Sequence, residues 1–136
     1  AWERGLCHGR RAKKNYTQEG IMVDRELLEL AAKAAGMELM DRPEVHCYVG
    51  GLMTTTGHWS PLTDDGDALR LAVKLKMEVY HGNDEGEAVY ASYTAPNSAI
   101  MYCAEYYEDF LNKDDPCAAT RRAIVRAAAE IGKGMG

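Results

Sequence analysis

His46, Cys47, His58, His81, Cys103 and Cys117 are side chains of kinds that hold a transition metal. Tetrahedral zinc needs four such ligands converging on one point, and only His46 and Cys47 are close in sequence. On a strand these neighbours point to opposite faces, so ordinary packing or surface histidine is the expected role. Asp64, Asp65 and Asp67 resemble part of a cation loop, yet the further ligands and distal glutamate of the calcium pattern do not follow; helix capping explains them better. Glu105, Glu108 and Asp109 are candidates for an acid–base pair, but solvated charge at a strand end is the simpler reading. A cysteine or serine nucleophile needs a base beside it, and no nucleophile-elbow sequence is present. Gly50-Gly51 and Gly132-Lys133-Gly134 lack the spacing of a phosphate loop. No catalytic residue, metal ligand or cofactor is therefore assigned.

Binding chemistry offers more. Tyr80, Tyr90, Tyr93, Tyr102, Tyr106 and Tyr107 fall in one stretch with strand character. Their amphipathic rings suit either a sheet packed under helices or a ligand- or partner-binding face. Trp59 belongs with them, because an exposed indole would mark an interaction surface. Trp59, Tyr90, Tyr93, Tyr102 and Tyr106 are the candidate surface residues. Arg121, Arg122 and Arg126 are candidates for phosphate contacts, if the chain binds RNA.

Charge argues against that second use. The 136 residues carry 16 basic and 21 acidic side chains, net −5. Residues 1–21 hold five of the basic and two of the acidic residues, which leaves 11 basic and 19 acidic for the remainder. Nucleic-acid binding needs a positive surface that displaces counterions from phosphate, so an acidic body disfavours it. A protein partner or self-association is the better expectation. Apolar runs fall far short of the roughly 20 residues of a membrane span. No secretory signal is evident, so Cys7, Cys47, Cys103 and Cys117, scattered without a C-x-x-C spacing, read as cytosolic thiols.

The elements that must position these residues begin near residue 22. Residues 1–21 lack helical or strand period and are expected to be a disordered basic arm or translated upstream sequence. Gln18-Glu19-Gly20-Ile21-Met22 can be encoded with AGGAGG shortly before an ATG, which makes Met22 the expected start. The single domain is then 22–136. Asp24 is the expected N-cap of a helix to residue 35, with Leu27, Leu28, Ala31, Ala32 and Ala35 on one face and Gly36 as its stop. Short strand-like segments follow at 37–40 and 45–49, then a loop over 54–57. Asp64 caps a helix over about 65–76, whose stripe is Ala68, Leu71, Ala72 and Leu75, joined by Leu69 and Val73. Segments 77–81 and 88–94 form a hairpin about the turn Gly82-Asn83-Asp84-Glu85-Gly86. Residues 99–107 read as a strand or as a helix capped by Ser98; the strand is preferred, because a lone hairpin is not stable. Asp115-Pro116 opens the last helix. Cys117, Thr120, Ile124, Ala127, Ala128 and Ile131 form its buried face, and Gly132 and Gly134 end it near 131.

Trp59-Ser60-Pro61-Leu62-Thr63-Asp64-Asp65-Gly66-Asp67-Ala68 before a helix, strands after it, and the small-residue helix around Ala123-Ile124-Val125-Arg126-Ala127-Ala128-Ala129 together resemble the phage ABA sandwich domain family over about residues 22–133. The resemblance implies an α+β fold with a small antiparallel sheet of three to four strands, about three helices and a layered α-β-α sandwich. It also implies a phage or prophage accessory protein of the bacterial host cytoplasm, with no catalytic residues to carry over. A non-enzymatic interaction or regulatory module, homo-oligomeric or not, is the expected function. The alternative is an RNA-binding module using Arg121, Arg122 and Arg126, which a salt-dependent gel shift would reveal; a small-molecule hydrolase is more distant.

Overall fold

Capping residues and hydrophobic period set the order of elements in the computed structural model, which describes residues 18–40, 51–82, 87–109 and 111–135. The helix α1 (Gln18–Ala35) is followed by two short strands, β1 (Leu52–Thr54) and β2 (Gly57–Trp59), and by α2 (Asp65–Lys74). Strands β3 (Glu78–Gly82), β4 (Ala88–Thr94) and β5 (Ile100–Tyr106) then lead to α3 (Pro116–Gly134). The described residues thus form an α+β fold of three helices, a β1-β2 hairpin and an antiparallel sheet in the order β3-β4-β5.

Two of the three expected caps form, at Asp64 and Asp115. The Asp64 carboxylate accepts the Asp67 amide at 2.8 Å, and Asp67 in turn accepts the Ser60 amide at 2.9 Å. The second bond ties the turn at Pro61 to the first turn of α2. Asp115 accepts the Cys117 amide at 2.9 Å with Pro116 in the first turn of α3. These bonds satisfy amides that a helix start otherwise leaves unpaired. Residues 100–106 are a strand, as preferred.

Several expectations are corrected. α1 starts at Gln18, inside the segment read as a leader, and Asp24 is mid-helix, where it pairs with Arg122 instead of capping. The stretch read as a loop at 54–57 is the turn of the β1-β2 hairpin, in which Thr54 pairs with Gly57. Its turn is Thr55-Thr56 instead of an asparagine–glycine pair. The Thr54 hydroxyl supplies the missing closure, accepting from the Thr56 amide at 3.2 Å and donating to the Gly57 carbonyl at 2.8 Å. Leu39 makes a single bridge to Thr54, while the expected strand at 45–49 lies outside the described residues. α2 ends at Lys74, and Lys76 adopts a positive φ of 57°.

Packing centres on α3. It rests on β4 and β5, while α1 and α2 both pack against it. Ala119, Ala123, Ile124, Val125, Ala127, Ala128, Ala129 and Gly132 are all buried, far more than the single stripe of a surface helix. Small side chains on so many sides let the sheet and two helices approach one helix at once. One core therefore joins Leu28, Ala31 and Ala32 of α1, Leu71 and Ala72 of α2, and Val89, Ala91 and Cys103 of the sheet. The described helices gather on this face of the sheet. Alternation sends Ala88, Tyr90, Tyr102, Ala104 and Tyr106 to the opposite face, where they make a second buried cluster.

Gly132 shows how tight this packing is. It was expected to end α3, yet the helix continues through it to Gly134. A methyl group at Gly132 would lie 2.1 Å from the carbonyl oxygen of Leu30 in α1. Only the absence of a side chain there lets the two helices cross.

Candidate functional site

α3 covers β4 and β5 but leaves the outer strand, β3, open. In β3, Val79 and His81 pair with Ala91 and Val89 and so share their face, towards the helices. α2 stands on the other side of this gap. The result is a cleft of about 340 Å³ between α2, the first turns of α3 and β3. Ala68, Leu69 and Ala72 form one wall, Val79 and His81 a second, and Cys117, Thr120 and Ile124 the third.

The polar groups around it are held in place. Arg121 donates to Asp65 at 2.6 Å and, through Nε, to the Leu62 carbonyl at 2.8 Å, closing one end by tying α2 to α3. His81 Nδ1 and the Tyr107 hydroxyl share a 2.7 Å hydrogen bond, which fixes the imidazole. Partial burial, then the nearby Glu87 carboxylate, raise the Tyr107 hydroxyl above the ordinary tyrosine pKa, so this phenol stays protonated at neutral pH. Thr120 Oγ1 bonds back to the Pro116 carbonyl at 2.7 Å. What remains available is chiefly apolar wall. Leu69 and Val73 of α2 lie 63% and 67% exposed, though both were placed with the buried stripe. A signal was present: with Leu69 and Val73 added, apolar positions cover more of α2 than one packed face can take.

The candidate interaction residues are mostly interior. Trp59, Tyr90, Tyr102 and Tyr106 are buried, between 1% and 8% exposed, and Tyr93 is partly buried. This fits the alternative of sheet packing instead of an exposed binding face. Tyr90 stacks on Tyr80 with ring centres 5.1 Å apart and lies 5.7 Å from the Tyr102 ring. The tyrosines are brought together, but as packing. Tyr80, 44% exposed, is the member of that stack nearest solvent.

The three arginines are also corrected. Besides the Arg121 contacts, Arg122 grips Asp24 of α1 through two bonds of 2.8 and 3.0 Å. Arg126 pairs with the buried Glu105 and donates to the Ala104 carbonyl at 3.1 Å. Each guanidinium is mostly covered and holds α3 to a different neighbour, instead of forming a phosphate-binding row. Glu105 is therefore no solvated acid: Asn112 also donates to it at 3.0 Å and to the Tyr106 carbonyl at 2.8 Å, pinning the loop before α3.

Asp64, Asp65 and Asp67 are occupied as caps and ion pairs. Among the described residues no three histidine, cysteine or acidic side chains gather as a metal-ligand set. Cys103 is disulfide-bonded, which corrects the reading of all four cysteines as thiols, whereas Cys117 is a free thiol. Cys117 is exposed at the cleft instead of lying in the buried face of its helix. His46, Cys47 and Cys7 lie outside the described residues. No described helix is long and apolar enough to cross a membrane. Compared with protein-family models, curated proteins and solved structures, the chain matches none.

Proposed function

We propose that this chain is a non-enzymatic interaction module that takes apolar side chains of a protein partner into the cleft between α2, α3 and β3. The observation that carries this reading is the apolar lining of the cleft, beside Leu69 and Val73, which stand exposed on α2. A concave apolar site with a few fixed polar groups suits recognition. The engagement of Asp65 by Arg121 and of His81 by Tyr107 supports a fixed binding wall more than an acid–base pair free to move protons. The resemblance to the phage ABA sandwich domain family supports an accessory role in a phage or prophage. A disulfide at Cys103 argues for an oxidising setting, so the cytoplasmic location is not carried into the proposal.

A random peptide library selected against the folded chain tests it, with the hits mapped by NMR shift changes. Selected peptides should carry apolar side chains and perturb Val79, His81 and Thr120. Leu69→Glu, at an exposed position, should weaken them about tenfold without unfolding the protein. Peptides that map elsewhere, or that ignore Leu69→Glu, refute the reading.

A further inference from the structure

The cleft differs in charge from one end to the other. At the start of α2, Asp65 and Arg121 neutralise each other at 2.6 Å. Lys74 closes α2, about 14 Å further along the helix axis. α2 and β3 both wall the cleft and are joined by residues 75–77 alone, so that turn stands where the two walls meet. Lys74 and Lys76 flank it, both exposed, and neither pairs with a carboxylate among the described residues. Arg70, one turn earlier, is already taken by Asp67 and Asp64. Lys76 has a φ of 57°, a left-handed backbone that glycine adopts with less strain. Its amide donates to the Val73 carbonyl at 3.1 Å, which fixes the backbone that carries the ammonium beside the apolar stripe.

Nearby acids do not cancel this end. Glu78 opens β3, but it pairs with Ser92 and shares the sheet face of Tyr80, away from the cleft. Glu87 lies beside Tyr107, the partner of His81, and so towards the other end of β3. Asp115 is held as the cap of α3 by the Cys117 amide.

We propose that the segment taken into the cleft is acidic as well as apolar. Its apolar side chains lie over Leu69 and Val73, and an aspartate or glutamate beside them meets Lys74 and Lys76. Charge complementarity selects this occupant: an uncharged segment leaves both ammoniums unmatched, and a basic one is repelled. The whole chain is net −5, so the attraction is local, acting within about 8–10 Å at physiological salt. It orients the segment along the cleft instead of drawing it from afar. The inference rests on the cleft being a partner site.

Two synthetic peptide libraries with the same apolar residues test it, one with Asp and Glu as its only charged residues and the other with Lys and Arg. Selected against the full chain, binders sensitive to the neutral change Leu69→Gln should come from the acidic library. For the tightest of these peptides, Lys74→Glu combined with Lys76→Glu should raise the dissociation constant at least about tenfold. Replacing the acid of that peptide by lysine should restore binding to the double variant, a recovery that misfolding cannot produce. Leu69-dependent peptides drawn equally from both libraries, or indifferent to the double variant, overturn the inference and leave the proposed function standing; so does a charge swap that restores nothing. If neither library yields a peptide sensitive to Leu69→Gln, the partner site itself is refuted, and this inference with it. A chain that dimerises by light scattering, with a dimer broken by Leu69→Gln, puts a second copy in the cleft and overturns the acidic segment.

Discussion

Gly132→Ala puts the packing of α3 to a direct test. In an open helix this change stabilises by up to about 1 kcal/mol, because alanine is the better helix former. Here the new methyl carbon would sit 2.1 Å from the Leu30 carbonyl oxygen and 2.9 Å from its carbon. Non-bonded carbon–oxygen contacts settle near 3.3 Å, so α1 must retreat from α3 by about 1.2 Å at the crossing. The obstacle is backbone, which cannot rotate aside as a side chain can. Around it stand Leu28, Ala31, Ala32, Ala127 and Ala128 in one close-packed core, whose contacts weaken if the helices part. Overpacking of this kind costs about 1–3 kcal/mol, occasionally more. With the propensity gain set against it, we expect a net loss of about 2 kcal/mol, or a fall in melting temperature of about 4–10 °C for a domain of this size. Urea unfolding followed by circular dichroism measures the first and calorimetry the second. Gly134→Ala is the control: nothing lies within 4 Å of its new methyl, so that variant should be neutral or slightly stabilised. A Gly132→Ala protein as stable as wild type, with Gly134→Ala unchanged, would refute the account of how α1 meets α3.

Two further outcomes follow from the same packing. Arg126→Met should cost about 3 kcal/mol or more in urea unfolding, because it leaves the Glu105 carboxylate, with its side chain 8% exposed, buried beside Asn112 without its cation; adding Glu105→Gln should restore much of the loss, and a single variant within about 1 kcal/mol of wild type would contradict the pairing. Under native, non-reducing conditions iodoacetamide should label Cys117, the exposed free thiol, and leave Cys103, which is fully buried and disulfide-bonded, unlabelled until the protein is reduced and unfolded; peptide mass mapping that finds Cys103 labelled first would reverse the assignment.

The elements legible in advance were those specified by neighbours in sequence. Asp64 and Asp115 are short-range signals: each carboxylate caps an amide two or three residues away. The hairpin of β3 and β4 and the strand β5 followed from alternation and from the need for a third strand. The β1-β2 hairpin was hidden because Thr54 closes its turn through a hydroxyl, a device that leaves no asparagine–glycine signature. α1 was begun too late because Asp24 resembles a cap. Its actual partner, Arg122, stands 98 residues away.

The cleft was hidden for a related reason. Leu69 and Val73 are helix positions whose types suit a core, and composition alone cannot say which side of α2 finds a neighbour. The arginines looked like one basic row on a helix, whereas each turns to a different element. For the tyrosines, packing and a binding face were both legible, and only the tertiary structure places Trp59, Tyr90, Tyr102 and Tyr106 in the interior.

Sequence by itself determined the class, the positions of α2, the sheet strands and the start of α3, and the alanine content that allows close helix approach. These depend on capping, turn chemistry and hydrophobic period, all local quantities. Tertiary structure alone decided that α3 is central, that Gly132 is a crossing point, that the arginines are internal ties, and that β3 forms one wall of a cleft. Those depend on which surfaces meet across the chain, and burial is a property of the neighbour as much as of the residue.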